Sequence, residues 1–120
     1  MADHSIVHLE IPTKDPEASA TFYHDVFGWK IETNPVYKYV TFLSEGGTRG
    51  GFAGPSEPTY KAGEPLVYLS TDNIDASLAT IEAHGGKTLL PKTEIPGVGV
   101  WAVFIDPNGN RLGLFTRKAQ

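Results

Sequence analysis

Two side chains able to carry protons stand two residues apart on one predicted strand. The run from Ser5 to Ile11 alternates, so Val7, Leu9 and Ile11 point to one face while Ile6, His8 and Glu10 point to the other. An imidazole and a carboxylate sharing a strand face lie within several ångströms of one another, and such a pair can move a proton on a bound carbonyl compound. Other chemistries have no residues to carry them. The chain has no cysteine, hence no thiolate nucleophile, no zinc-thiolate site and no disulfide framework. There is no serine nucleophile motif and no phosphate-binding glycine loop. The run GGTRGG from Gly46 lies between short predicted strands and opens no helix, which excludes a dinucleotide fingerprint. His4, His24 and His84 read as surface residues, the last two near helix C-termini where a cation is favoured.

The elements that position His8 and Glu10 belong to a repeat. DPEASATFYHDVFGW from Asp15 lies over NIDASLATIEAHGGK from Asn73, an offset of 58 residues, with Ala18 and Ser19 on Ala76 and Ser77 and Gly28 on Gly86. The same shift lays HLEIPTK from His8 over LVYLSTD from Leu66 without a gap. Asp15 is an N-cap, Pro16 and Glu17 suit the first turn, and Gly28 stops the helix, whose buried stripe is read as Ala18, Phe22 and Val26 with Ser19 and Tyr23 alongside. Short strands follow over Trp29–Thr33, Tyr37–Leu43 and Thr48–Ala53, divided by Asn34-Pro35 and by Glu45-Gly46-Gly47. The second half repeats this order. A strand over Leu66–Thr71 leads to a helix with Ile74, Leu78 and Ile81 on its apolar side, then strands over Thr88–Leu90, Val100–Ile105 and Asn110–Thr116. The expected class is α+β: two tandem βαβββ modules, about 4–53 and about 66–117, with helices outside a curved sheet and a proline- and glycine-rich linker at 54–65.

At 120 residues and 40% hydrophobic content the chain holds enough apolar material for one domain. A net charge of −4 without a basic run argues against nucleic acid, and the polar start MADHS leads directly into a strand, so neither a signal peptide nor a membrane span is expected. A cytoplasmic protein is expected.

The opening HLEIPTKDPEASATFYHDVFGWKI, the stretch STDNIDASLATIEAHGGK and the closing FIDPNGNRLGLF resemble the vicinal oxygen chelate superfamily of glyoxalases, bleomycin-resistance proteins and extradiol dioxygenases. More narrowly, the chain resembles the small branch related to lactoylglutathione lyase. The resemblance implies that the eight strands form an incomplete barrel around a cavity. It also implies that two chains pair as a homodimer, each cavity built either within one chain or across the pair. Metal-dependent members hold a divalent ion with four side chains, one from each first strand and one from each last strand. Those positions fall here on His8, Leu66, Gly113 and, with a looser match, Gly51. One donor of four survives, whereas such an ion needs about three or four protein donors, so no metal and no other cofactor is expected. The rival is a displaced ligand set of His8, Glu10 and Tyr68, serving a lactoylglutathione-lyase-like or dioxygenase-like enzyme.

An inward face bearing His8, Glu10, Tyr68 and Ser70 is polar where a purely structural barrel is packed with leucine and valine, which points to a small organic ligand. Gly51 and Gly113 remove side-chain volume at the same centre and would admit a ligand more deeply. Tyr39, Trp101 and Phe115, with Leu66 and Tyr68, would supply the walls. The functional expectation is therefore ligand binding without the usual metal, either for sequestration or for proton transfer by His8 and Glu10. Plainer roles stay open: His8 as a structural histidine, Glu10 solvated or paired with Arg49 or Arg111, Tyr68 and Trp101 as core aromatics, the glycines as bulges, and the whole chain as a non-catalytic scaffold or regulatory module.

Overall fold

The computed structural model of the protein describes residues 4–54, 60–61 and 63–117, so the linker positions 55–59 and 62 lie outside the described residues. Its elements are β1 (Ile6–Pro12), α1 (Pro16–Phe27), β2 (Lys30–Thr33), β3 (Val40–Leu43), β4 (Arg49–Ala53), β5 (Leu66–Ser70), α2 (Ile74–Ala83), β6 (Lys87–Ile95), β7 (Gly99–Ile105) and β8 (Arg111–Arg117). Among the described residues two helices and eight strands in the order βαβββ, twice, make the chain α+β, as its repeat predicts. It falls into two compact units, one of Val7–Leu66 and the other of Val67 onward with the residues up to Ile6.

In the first unit the strands run β2-β3-β4-β1, antiparallel except for the parallel pair β1 and β4. The second unit runs β6-β7-β8-β5, again with one parallel pair, β5 and β8. The duplication extends to side chains. Asp15 caps α1 by accepting from the Ala18 amide at 3.1 Å, and Asn73 caps α2 by accepting from Ala76 at 3.0 Å. The hydroxyls of Thr13 and Ser19 meet at 2.6 Å, and those of Thr71 and Ser77 at 2.7 Å.

Three expectations shift in register or extent. The buried side of α1 is Ala20 with the half-buried Ser19 and Tyr23, whereas Phe22 and Val26 are more than half exposed. Tyr23 sets this rotation by stacking on Trp29, with ring centroids 4.7 Å apart, and on Phe52 at 5.8 Å. Strand β3 begins at Val40 and not Tyr37, because the Asn34 side chain accepts from the amides of Val36 and Tyr37, and Lys38 takes a left-handed φ of 58°. Strand β6 runs on through Pro91 to Ile95. Its register shifts between Thr88 and Leu90 and between Leu90 and Thr93, and it pairs on one side only within its unit, where a proline lacking an N–H is tolerated.

Each sheet turns one face to its helix. Leu9, Ile11, Val40, Phe42 and Phe52 pack with Ala20 under α1; Leu69, Ala102, Phe104 and Leu114 pack with Ile74 and Leu78 under α2. Period-two alternation then leaves Glu10, Gly51 and Thr41 in one row on the opposite face of the first unit, and Tyr68, Gly113 and Val103 in the corresponding row of the second.

Candidate functional site

His8 and Glu10 meet on the face away from α1, joined by Tyr39. Glu10 is 3% exposed, and its Oε1 accepts from the Tyr39 hydroxyl at 2.5 Å and pairs with His8 Nε2 at 2.7 Å. The same Nε2 lies 3.2 Å from the Tyr39 oxygen. An ionised carboxylate only accepts, so with Glu10 ionised both neighbours donate to it. Neutral His8 then carries its hydrogen on Nε2 and its lone pair on Nδ1. The His8 side chain is 25% exposed and that of Glu10 4%, which makes the imidazole the outer member of the cluster. Glu10 finds its partners in His8 and Tyr39, not in Arg49.

Tyr39 reaches Glu10 because position 51 is glycine. A Cβ at Gly51 would fall on the Tyr39 hydroxyl and on the ring carbon that bears it. The second unit repeats the device with a different residue, since a Cβ at Gly113 would fall on the ring of Tyr68. Space opened by these glycines was expected to admit a ligand; tyrosine rings occupy it instead. Tyr39 is thus a polar member of the cluster and not a flat apolar wall. No local spacing announces it, for 29 residues and a turn separate it from Glu10. The usable signal was the strand glycine, a mark of close approach.

The second unit holds most of the remaining candidates. Tyr68 is buried, with its ring centroid 6.2 Å from that of Trp101, and Phe115 pairs in register with Trp101; both Trp101 and Phe115 are half-buried. Leu66 is fully buried at 2% exposure. A surface depression of about 570 Å³ runs along α1 and β2, lined by Thr21, His24, Asp25, Trp29 and Lys30, and no member of the His8 cluster lines it.

The donors present do not fit a divalent ion. Leu66, Gly51 and Gly113 offer no side-chain donor, His8 Nε2 is engaged with Glu10, and the slot over Gly51 holds a phenol. Among the described residues no three His, Cys, Asp or Glu side chains gather closely enough to hold a metal.

Burial, then the charge of Glu10 and the hydrogen bond to it, then Tyr60, hold the Tyr39 phenol far above its ordinary value near 10. It therefore donates to Glu10 throughout the working pH range. In the unfolded chain this phenol ionises around pH 10. Above that pH the folded protein retains a proton that the unfolded chain has lost, so the contribution, complete at lower pH, declines by about 1.4 kcal/mol per pH unit. Urea unfolding at about pH 9 and about pH 11 should show that decline in the wild type and a shallower one in Tyr39→Phe. An equal slope in both would show that Tyr39 ionises as freely folded as unfolded.

Comparison with known proteins agrees with this fold. The family model described as the Glyoxalase/Bleomycin resistance protein/Dioxygenase superfamily matches residues 5–114. A glyoxylase-like domain-containing protein of Didymella fabae is 32% identical over 117 residues, covering 91% of this chain and 91% of the relative. The anthracycline biosynthesis protein DnrV of Streptomyces peucetius is 31% identical over 119 residues, covering 84% of this chain but 42% of its own length, so the chain spans less than half of that relative. Among solved structures, methylmalonyl-CoA epimerase in complex with methylmalonyl-CoA and NH4+ superposes with a TM-score of 0.70 at 20% identity, over 98% of this chain and 97% of that one. No helix among the described residues is long and apolar enough to cross a membrane. With a family match across both βαβββ modules, the chain belongs to the Glyoxalase/Bleomycin resistance protein/Dioxygenase superfamily.

Proposed function

We propose that this protein binds a small organic carbonyl compound at His8, Glu10 and Tyr39 and moves a proton on it without a divalent metal ion. The observation that carries this reading is the Glu10 carboxylate, 3% exposed, holding a phenol and an imidazole on one oxygen. A buried carboxylate against an imidazole fixes the tautomer and balances the charge that appears when the ring takes a proton. His8, the more exposed partner, is the general base toward a carbon acid beside the carbonyl, and Glu10 holds it in position. A homodimer in the cytoplasm completes the proposal.

A thermal-shift series with small aldehydes, ketones and thioesters tests it. At ligand concentrations near 100 times Kd, binding adds about 2.7 kcal/mol to stability, a clear rise in Tm. The rise should be dose-dependent and should vanish in His8→Ala with the circular dichroism unchanged. If no carbonyl compound raises Tm, or if His8→Ala keeps the full rise, the site is not here. A ligand that binds but is never turned over assigns the protein to sequestration.

A further inference from the structure

Glu10 is only half satisfied. Both of its side-chain hydrogen bonds fall on Oε1, while Oε2 accepts none from any described residue, although the side chain is 4% exposed. An ionised carboxylate has about four acceptor sites, and a buried one left without donors is costly, so native proteins rarely keep such an oxygen unless something else supplies the donor. The cost is avoidable here. Gly51 sits beside Glu10 in the ladder, and a small side chain bearing a hydroxyl could supply a donor from there. The chain instead keeps that position bare and fills the slot with Tyr39, whose single O–H is spent on Oε1.

We infer that Glu10 Oε2 is the anchor for a hydrogen-bond donor carried by the ligand, an O–H or an N–H on a small organic molecule. This rests on the reading that His8, Glu10 and Tyr39 form the ligand site, and adds to it which chemical class the site selects. Two features favour a donor over an acceptor. Oε1 already accepts from both neighbours, so neither presents a spare proton toward Oε2. Among the described residues His8 is also the only basic side chain paired with Glu10, and it is charged only when protonated, so the carboxylate draws a proton-bearing or cationic group toward itself.

Three probes on one frame test this: benzylamine, benzyl alcohol and benzyl methyl ether, titrated into isotope-labelled protein and followed at the backbone amides of Glu10, Thr41 and Gly51. The amine and the alcohol are expected to give saturable shifts, with the ether at least about tenfold weaker because it has no proton to give. Their ratio separates a charged from a neutral donor. In Glu10→Gln, with the amide oxygen still accepting from Tyr39, an NH2 replaces Oε2 and turns the anchor into a donor. The amine should then weaken by about tenfold or more while the ether does not. Should Glu10→Gln not fold, the order of the three probes on the wild type decides by itself.

Ether binding equal to that of the alcohol would overturn the donor inference, and loss of both in His8→Ala would leave the site reading intact. Amine and alcohol binding undiminished in folded Glu10→Gln would also overturn it. Zinc titrating the same amides at stoichiometric concentration would replace the organic donor with a metal and overturn it as well. No saturable shift from any probe would overturn the donor inference, while the site reading stands or falls separately on the thermal-shift series with carbonyl compounds.

Discussion

Gly51→Ala is expected to lower the stability of the protein by about 3 kcal/mol, unusually much for the addition of one methyl group. The added Cβ falls on the Tyr39 hydroxyl and the adjoining ring carbons, so the ring must leave its slot. Three contributions set the size. Exposing the rest of the half-buried Tyr39 ring costs up to about 1.5–3 kcal/mol. Losing a hydrogen bond to a charged group costs about 1.5–3 kcal/mol more, since Glu10 is then left with His8 alone. Against these, alanine restricts the unfolded chain and returns about 0.5–1 kcal/mol. Partial accommodation of the ring brings the sum toward its lower end. A double-mutant cycle in urea separates this mechanism from a general objection to alanine in β4. Tyr39→Ala should cost about 3–5 kcal/mol alone but much less beside Gly51→Ala, a coupling of about 2–3 kcal/mol. Additive effects would mean that glycine and ring are not seat and occupant.

That pair also marks how far the sequence could be read. The repeat was legible because both modules spell the same local signals: a capping Asp15 or Asn73, a Ser19 or Ser77 one turn on, and a stop at Gly28 or at Gly85-Gly86. The structure turns each into a bond or a helix end. His8 and Glu10 were legible as neighbours because strand alternation is local. Tyr39 was not. Its place depends on the left-handed turn at Lys38, on the ladder that sets Thr41 and Glu10 on either side of Gly51, and on a missing side chain at that position, three facts separated by up to about forty residues along the chain. The rotation of α1 escaped for a related reason. Helical spacing admits Phe22 and Val26 as readily as Ala20 and Tyr23 on the inner face, and only the stack onto Trp29 and Phe52 chooses between them.

The second large effect is on chemistry. With a carbonyl compound that raises Tm, the wild-type protein is expected to exchange the proton on the carbon beside the carbonyl for deuterium, and Glu10→Gln should slow that exchange by about 10²–10⁴-fold. The reason is electrostatic. When His8 takes the proton its ring becomes a cation, and the carboxylate 2.7 Å from Nε2 balances that charge in a site screened from water. A glutamine keeps the shape and can still accept from Tyr39, but it has no charge to offer and cannot favour the imidazolium. Tyr39→Phe should do less, about tenfold, because it removes one donor from Oε1 and leaves the ion pair in place. The order of the two variants is the test, read by proton NMR in deuterium oxide alongside binding measured by thermal shift. Glu10→Gln that still binds the compound yet exchanges at the wild-type rate would show that the carboxylate holds the imidazole in place without acting on the reaction. Tyr39→Phe slower than Glu10→Gln would move the proton-handling role to the phenol, whose hydrogen would then have to reach the ligand and not Glu10.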